Sequence, residues 1–131
     1  MSQTVIIYSD DSSVRRAISL AITPKPAADL GPITVKEFAT APALRSYLDE
    51  GHKVDLLILD GEAVPEGGMG VARQVKDEIF NCPPTLVIIG RPTDAWLANW
   101  SKADDTLLHP IQPLETANAV AKLLRPIPVT A

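Results

Sequence analysis

The stretch "VDLLILDGE" at residues 54–62 decides the fold, because a run of four apolar residues is followed at once by a carboxylate and a glycine. A strand that is apolar on both faces is typical of the interior of a parallel sheet. Asp and Gly both favour turns, so Asp60 could do no more than end the strand. The rest of the chain decides whether Asp60 also belongs to a site.

Composition and charge exclude several classes of protein. The chain has 131 residues, of which 46% are apolar and 21% charged, as in a single globular domain. A net charge of −4 without a run of Lys or Arg argues against binding nucleic acid. No apolar run approaches the roughly 20 residues of a membrane span, and the N-terminus does not resemble a secretion signal, so we expect a cytoplasmic protein. A single cysteine, Cys82, forms no internal disulfide and is expected to be structural.

Apolar patterns predict five strands and five helices in strict alternation. The predicted strands are 4–8, 33–38, 54–59, 85–89 and 105–109, and the predicted helices are 12–22, 41–51, 69–80, 94–102 and 113–124. Ser12 is a candidate N-cap, Gly51 closes the second helix, and the Pro-rich segment 23–32 is a long connection. The pattern predicts an α/β fold with a doubly wound five-stranded parallel sheet, flavodoxin-like, in the order 2-1-3-4-5. Residues 1–125 would form this domain and residues 126–131 a short tail.

Carboxylates follow two strands that this order places side by side. The first strand ends in "SDD" at residues 9–11 and the third ends in Asp60. Ligands of such sheets bind at the carboxyl ends of the strands near the switch point, here between strands one and three. Clustered carboxylates repel one another unless a cation such as Mg²⁺ neutralises them. The alternative is structural, with Asp10 or Asp11 capping the first helix and Asp60 starting a turn.

Four motifs resemble the receiver domain of bacterial two-component response regulators, over residues 4 to about 124. They are "SDDSSVRR" at 9–16, "LLILDGE" at 56–62, "GMGVARQVKDE" at 68–78 and "ADDTLLHPIQPLE" at 103–115. The resemblance implies that Asp60 is the phosphoacceptor, which takes a phosphoryl group from a partner histidine kinase. It also implies a Mg²⁺ ion held by Asp10, Asp60 and the backbone carbonyl of Glu62.

The first strand departs from the receiver pattern. Receivers usually end it in two acids, and the phase of the following helix puts Ser9 and Asp10 at these positions, so that Ser9 replaces an acid. The alternative register, with Asp10 and Asp11 as the pair, shifts the helix by one residue and fits less well. The Glu62 side chain either restores part of the lost negative charge or points to solvent.

The fourth and fifth strands depart further. Ile89 occupies the position of the Thr or Ser whose hydroxyl contacts the phosphoryl group, and Gly90 fits the small residue that follows. His109 occupies the position of the Lys that pairs with the phosphoryl group, and a neutral imidazole supplies one donor and no charge. Thr106 stands where receivers often have an aromatic switch residue.

Two features of the backbone are predicted from the same resemblance. Pro65 and Gly70 lie farther from Asp60 than usual, which predicts an enlarged loop over residues 61–70, made flexible by Gly67 and Gly68. The His109–Pro110 bond should be cis, as receivers commonly hold the corresponding Lys–Pro bond.

These departures favour an atypical, stand-alone receiver that acts as a protein-interaction module, with phosphorylation at Asp60 weak or absent and Mg²⁺ bound weakly. The alternative is a working phosphoacceptor of a phosphorelay. A flavin-binding protein has little support, because no Gly-rich or Ser/Thr-rich phosphate loop follows the first strand, and no enzymatic role is expected.

The chain ends after the fifth helix, so we expect its output to be a protein contact or phosphoryl storage. Trp96 and Trp100 share one face of the fourth helix, and paired aromatics are enriched at interfaces. The face formed by helix 4, strand 5 and helix 5 would contact a histidine kinase, an output protein or a second copy of the chain. Otherwise one Trp packs on the sheet.

Overall fold

The structure, a computed structural model, describes residues 3–125 except for the side chain of Ala98. Strands and helices alternate as predicted. The elements are β1 (Gln3–Tyr8), α1 (Ser12–Ile22), β2 (Ile33–Phe38), α2 (Ala41–Asp49), β3 (Leu56–Asp60), α3 (Gly68–Glu78), β4 (Thr85–Ile89), α4 (Ala95–Trp100), β5 (Asp105–Leu108) and α5 (Pro113–Leu124). The predicted tail at 126–131 lies outside the described residues.

The five strands form one sheet in the order β2-β1-β3-β4-β5, with every neighbouring pair parallel. The predicted fold class and strand order are therefore confirmed. In the β1–β3 pair Tyr8 lies opposite Leu59, so the residues that follow these two strands meet at one edge of the sheet. This register brings the predicted site residues of β1 and β3 together.

Alternate residues of the central strands build two separate core layers, one on each face of the sheet. Leu57 and Leu59 of β3 pack with residues of α2 and α3, whereas Leu56 and Ile58 pack with residues of α1 and α5. All four side chains are fully buried. Helices cover both faces, which explains why β3 and β4 are apolar throughout instead of alternating.

The N-cap of α1 is Asp11, as in the structural alternative of the sequence prediction, and not the candidate Ser12. Asp11, rather than Ser12, caps the helix, because its carboxylate accepts hydrogen bonds from the amide and the hydroxyl of Ser13. Ser12 is the first helical residue. At the end of α2 the prediction holds, since Gly51 follows the helix with a φ of 83° and its amide donates to the Leu48 carbonyl. The helix itself ends two residues earlier, at Asp49.

β3 begins and ends later than predicted. Asp55 precedes the strand and holds the start of β1, because its carboxylate accepts from the Thr4 amide at 2.8 Å and its amide donates to the Thr4 carbonyl. The strand then runs from Leu56 to Asp60. Asp60 is thus the last residue of a buried strand, and its backbone position is fixed by the sheet.

Other boundaries shift by one or two residues. The helix predicted at 94–102 is shortened to α4 because Pro92–Asp94 forms a separate 3₁₀ turn. The predicted cis bond at His109–Pro110 is confirmed, and Thr23–Pro24 and Val64–Pro65 are also cis. Cys82 is a free thiol that packs against the core layer of α3, and burial raises its pKa. None of the helices within residues 3–125 has the length and apolar character needed to cross a bilayer.

Candidate functional site

A cavity of about 430 Å³ opens at the carboxyl ends of the strands. It lies where β1, β3, β4 and β5 end side by side, as the sheet order requires. Its lining contains the residues at which the sequence analysis placed the site, with the exception of Ile89. The lining residues are Asp10, Asp11, Val14, Asp60, Glu62, Gly90 and His109.

Asp60 is buried, with 2% of its surface exposed, and three donors of the protein hold its carboxylate. Oδ2 accepts from the Ser9 hydroxyl at 2.8 Å. Oδ1 accepts from the Glu62 amide at 2.9 Å and lies 2.8 Å from Nε2 of His109. An ionised carboxylate only accepts hydrogen bonds, so this His109 nitrogen carries the proton. Hydrogen bonds from three groups of the protein therefore compensate the buried charge of Asp60.

Ser9 is fully buried and is oriented from both sides. The Ser9 hydroxyl accepts a hydrogen bond from the Asp11 amide at 3.1 Å and donates one to the Asp60 carboxylate. Its carbonyl accepts from the Arg15 guanidinium at 2.7 Å, and Arg15 also pairs with Glu37 of β2. Ser9 thus stands beside Asp60 as a neutral donor.

Asp10 and Asp11 are both exposed and both border the cavity, but they differ in role. Asp10 Oδ1 accepts from the Val64 amide at 3.2 Å, which ties the end of β1 to the loop after β3. Asp11 is occupied as the N-cap of α1, and its hydrogen bonds with Ser13 lower its pKa. Of the two acids, Asp10 therefore has the carboxylate that is free of helix capping.

His109 lines the cavity, whereas Ile89 at the end of β4 does not. The Ile89 side chain points into the core layer of α2 and α3 and is 5% exposed. Its carbonyl accepts from the amide of His109, the residue after β5, at 2.9 Å, so a backbone hydrogen bond links the two residues. The structure brings His109 to Asp60, and at residue 89 it offers no hydroxyl to the cavity.

Glu62 follows neither of the two predicted alternatives fully. The residue is exposed, yet its side chain turns across the cavity and lies against Gly90. A β-carbon built on Gly90 would stand 1.8 Å from Glu62 Oε1. The carboxylate therefore adds negative charge to the cavity without joining Asp10 and Asp60 in a three-carboxylate cluster.

Gly67 and Gly68 serve close packing, and the loop is shorter than the predicted 61–70. α3 begins at Gly68 and not near Gly70, and a β-carbon at Gly68 would lie 2.7 Å from the backbone of Asp60. A β-carbon built on Gly67 would lie 3.0 Å from the Gly61 carbonyl oxygen. The start of α3 is thus pressed directly against the phosphoacceptor position.

A second contact, which the sequence analysis missed, clamps the same loop. The Tyr8 hydroxyl donates to the Glu66 carbonyl at 2.6 Å, and the Glu66 carboxylate pairs with Arg45 of α2. Burial raises the pKa of Tyr8, and the nearby Glu66 carboxylate raises it further. The sequence signal for this contact is Tyr8 itself, the last residue of β1, because a buried Tyr hydroxyl needs a hydrogen-bond partner.

The fit of the cavity to Mg²⁺ can be judged from its donors. Asp10 and Asp60 both face it, but within residues 3–125 no three His, Cys, Asp or Glu side chains are grouped so as to hold a metal ion. Mg²⁺ in proteins is often bound by one or two carboxylates and several waters. The residues therefore fit a weakly held Mg²⁺ and do not form a closed metal cage.

Both tryptophans of α4 are exposed, Trp96 at 66% and Trp100 at 49%. The alternative in which one of them packs on the sheet is therefore wrong. The Arg73 guanidinium of α3 lies 5.1 Å from the centre of the Trp100 ring and donates to the Trp100 carbonyl at 2.9 Å. Trp96 has the larger exposed surface.

Comparisons with known proteins agree with this geometry. No family model matches the chain. Two uncharacterized response regulatory proteins, from two strains of Mycobacterium tuberculosis, are each 45% identical over 121 residues, which cover 92% of this chain and 90% of theirs.

Solved structures share the fold at low identity. The signal receiver domain of a response regulator from Bermanella marisrubri superposes with a TM-score of 0.79 at 19% identity, covering 95% of this chain and all (100%) of that one. The DrrB receiver domain, in a structure activated by BeF3, gives 0.74 at 18% identity and covers 95% and 98%. DrrB is a Thermotoga maritima protein. With relatives 45% identical along nine-tenths of the chain, and with the fold of receiver domains, the chain belongs to the response regulators and forms a receiver domain of two-component signalling.

Proposed function

We propose that this receiver domain acts in signalling as a protein-interaction module, and that phosphorylation at Asp60 is weak or absent. The observation that carries the proposal is the set of three donors around Asp60: the Ser9 hydroxyl, the Glu62 amide and His109 Nε2. The module is atypical because Ser9 stands where receivers usually have an acid and His109 where they have a lysine.

The three donors lower the reactivity of the carboxylate. Two carboxylate oxygens have about four acceptor sites between them, and three are occupied here. Each hydrogen bond stabilises the resting carboxylate and must be weakened when an oxygen attacks phosphorus. Asp60 in this setting is a poor nucleophile compared with a carboxylate that accepts fewer hydrogen bonds.

The far side of the cavity lacks the groups that would hold a transferred phosphoryl group. Ile89 turns its side chain into the core and supplies no hydroxyl. His109 already uses its Nε2 donor on Asp60, so this group is not free to pair with a phosphoryl oxygen. The charge that develops on phosphoryl oxygens would therefore be poorly stabilised.

Mg²⁺ would supply the positive charge that a phosphorylated receiver needs. Asp10, Asp60 and the backbone carbonyl of Glu62 are the proposed ligands, and binding should be weak because Ser9 brings no charge. Calorimetry tests this assignment. Tight binding that survives Asp10→Ala would contradict it.

The partner surface is proposed to be the α4–β5–α5 face. Trp96 and Trp100 of α4, Leu108 at the end of β5 and Leu114 of α5 are all exposed large apolar residues. Tryptophan is enriched among residues that dominate binding energy at interfaces. A histidine kinase, an output protein or a second copy of the chain would bind here.

NMR tests whether this surface depends on phosphorylation. Amide spectra of the wild type and of Asp60→Asn would be recorded with and without a small phosphodonor and Mg²⁺. We expect the amides of α4, β5 and α5 to keep their positions in both proteins. Shifts that spread from the cavity to this face in the wild type alone would show that the domain is a working switch.

One observation favours the alternative, a functional phosphoacceptor. Asp10 and Asp60 open into the same cavity, and its volume of about 430 Å³ leaves room for a phosphoryl group. A cognate kinase could supply positioning that small donors lack. Transfer from such a kinase to Asp60, and not to Asp60→Asn, would establish this function.

A further inference from the structure

The Glu62 side chain occupies a place that only a glycine at residue 90 leaves open. A β-carbon on Gly90 would lie 1.8 Å from Oε1, 2.8 Å from Cδ and 3.4 Å from Cγ of Glu62. Real β-carbons essentially never approach other heavy atoms to within 3.0 Å. The carboxylate of the loop after β3 therefore rests directly on the backbone at the end of β4.

This contact crosses the cavity that contains Asp60. Glu62 and Gly90 both line it, together with Asp60 and His109. The Glu62 amide is anchored to Asp60 Oδ1 at 2.9 Å, so the side chain starts beside the phosphoacceptor position and extends to the opposite wall. The side chain is exposed and can leave this place without disturbing the core.

We propose that the Glu62 carboxylate is a built-in cover over Asp60, and that Gly90 is the residue that allows the cover to lie there. The inference rests on the proposed function and names a cause within the same site. A phosphodonor is an anion and must reach Asp60 through the cavity. The cover opposes it by volume and by like charge.

Two substitutions, one at each end of the contact, would remove the Glu62 carboxylate from its place over Asp60. Glu62→Ala removes the carboxylate. Gly90→Ala pushes it aside, because the colliding atoms are the end of a flexible side chain and Gly90 does not need a positive φ. If the contact is the obstacle, both variants act on the same obstacle and their effects do not add.

The experiment measures binding of beryllofluoride, an anion that mimics a phosphoryl group, at saturating Mg²⁺. Fluorine NMR would follow the bound signal in the wild type, Glu62→Ala, Gly90→Ala and the double variant. The exposed Glu115 of α5 provides a matched control, since Glu115→Ala makes the same charge change away from the cavity. Asp60→Asn in each background identifies signal that depends on Asp60, and thermal melts check the fold.

We expect each single variant to bind about three- to tenfold more tightly than the wild type, the size expected when one unit charge leaves a partly exposed site. The double variant should match the better single variant, and Glu115→Ala should match the wild type. Affinities of Glu62→Ala and Gly90→Ala equal to that of the wild type would overturn the inference. Loss of bound signal in every variant would also overturn it, because nothing would have been uncovered.

The proposed function is judged on a different result. It concerns the extent of phosphorylation of the wild-type chain, whereas the cover is judged on the ratio between the variants and the wild type. A wild type that is readily phosphorylated would contradict the proposed function. The absence of any bound anion would contradict only the cover.

Discussion

The two sides of the cavity have diverged to different degrees from the receiver pattern. The acidic side, formed by Ser9, Asp10 and Asp60 after β1 and β3, keeps two of its three expected carboxylates. The substituted side, formed by Gly90 and His109 where β4 and β5 end, has neither the lysine nor, at Ile89 of β4, the hydroxyl. The carboxylate of Asp60 is therefore present, while the hydroxyl and the lysine that the receiver pattern places opposite it are not.

The comparison shows that the buried charge of Asp60 is compensated by hydrogen bonds from both sides of the cavity. A buried carboxylate is costly unless it is hydrogen-bonded or paired. Ser9 on the acidic side and His109 on the substituted side share that task, at 2.8 Å each. Under the proposed function, the same contacts make Asp60 a poorer acceptor of phosphoryl groups.

The largest effect is expected from restoring the substituted side. Ile89→Thr combined with His109→Lys returns a hydroxyl and a permanent cation, and charge-assisted hydrogen bonds contribute about 1.5–3 kcal/mol each. Phosphorylation of Asp60 by a small donor should rise roughly tenfold or more relative to the wild type. Intact-mass measurements over time would give the rate.

Stability needs a control in that experiment, because Ile89 is buried and a hydroxyl there needs a partner. Ile89→Val with His109→Lys changes the packing without adding the hydroxyl. A folded Ile89→Thr and His109→Lys variant that reacts no faster than the wild type would place the obstacle on the acidic side instead.

The acidic side depends on the close approach of α3 to Asp60. Gly68→Ala places a β-carbon 2.7 Å from the Asp60 backbone and should lower the free energy of unfolding by about 1–3 kcal/mol. Gly70→Ala is the matched control two residues later, where a β-carbon meets no atom within 4 Å. Gly70→Ala should stabilise the chain by about 0.4–1 kcal/mol. Urea unfolding would measure both, and equal effects would refute the packing role of Gly68.

Restoring the missing acid should strengthen metal binding. Ser9→Asp adds a third carboxylate beside Asp60, and we expect about tenfold tighter binding of Mg²⁺ by calorimetry, since affinity follows the number of charged ligands. Without Mg²⁺ this variant should be less stable than the wild type, because like charges are then buried together. Ser46→Asp on the exposed surface of α2 adds the same charge far from the cavity and should leave Mg²⁺ binding unchanged. Equal affinities for Ser9→Asp and the wild type would show that Ser9 does not stand at a ligand position.

The smallest effects are expected outside the cavity, at the two tryptophans of α4. Trp100→Ala removes the contact with the Arg73 guanidinium and should cost about 0.5–1 kcal/mol of stability. Trp96→Ala should leave the stability nearly unchanged, since the side chain is 66% exposed. Thermal melts of both variants would check this order. The reverse order would mean that Trp96 supports the fold and is not held free for a partner.

The fold could be predicted from the sequence because its signals are local. Two fully apolar strands, β3 and β4, and regular alternation with amphipathic helices leave few parallel arrangements. The boundaries were less certain, because caps depend on single side chains. Asp11 and Ser12 are both good caps, and only the structure shows that Asp11 reaches Ser13.

The site could be located from the sequence but not its contacts. Strand order predicts that Asp10 and Asp60 meet at one edge of the sheet, and the resemblance to receivers adds His109; all three line the cavity. The hydrogen bond from Ser9 to Asp60, the turn of Glu62 onto Gly90 and the pressing of Gly68 against Asp60 depend on distances between residues far apart in sequence. The close approach of Gly67 and Gly68 to the end of β3 cannot be predicted from the sequence, because glycine serves both flexibility and close approach.

The most direct test of the account is the mass of the intact wild-type chain after incubation with a small phosphodonor and Mg²⁺, beside Asp60→Asn treated in the same way. With Asp60 held by Ser9, Glu62 and His109, we expect only a small fraction of wild-type chains to gain the mass of a phosphoryl group. A stable, stoichiometric gain in the wild type that is absent from Asp60→Asn would contradict the account and make this domain a working phosphoacceptor.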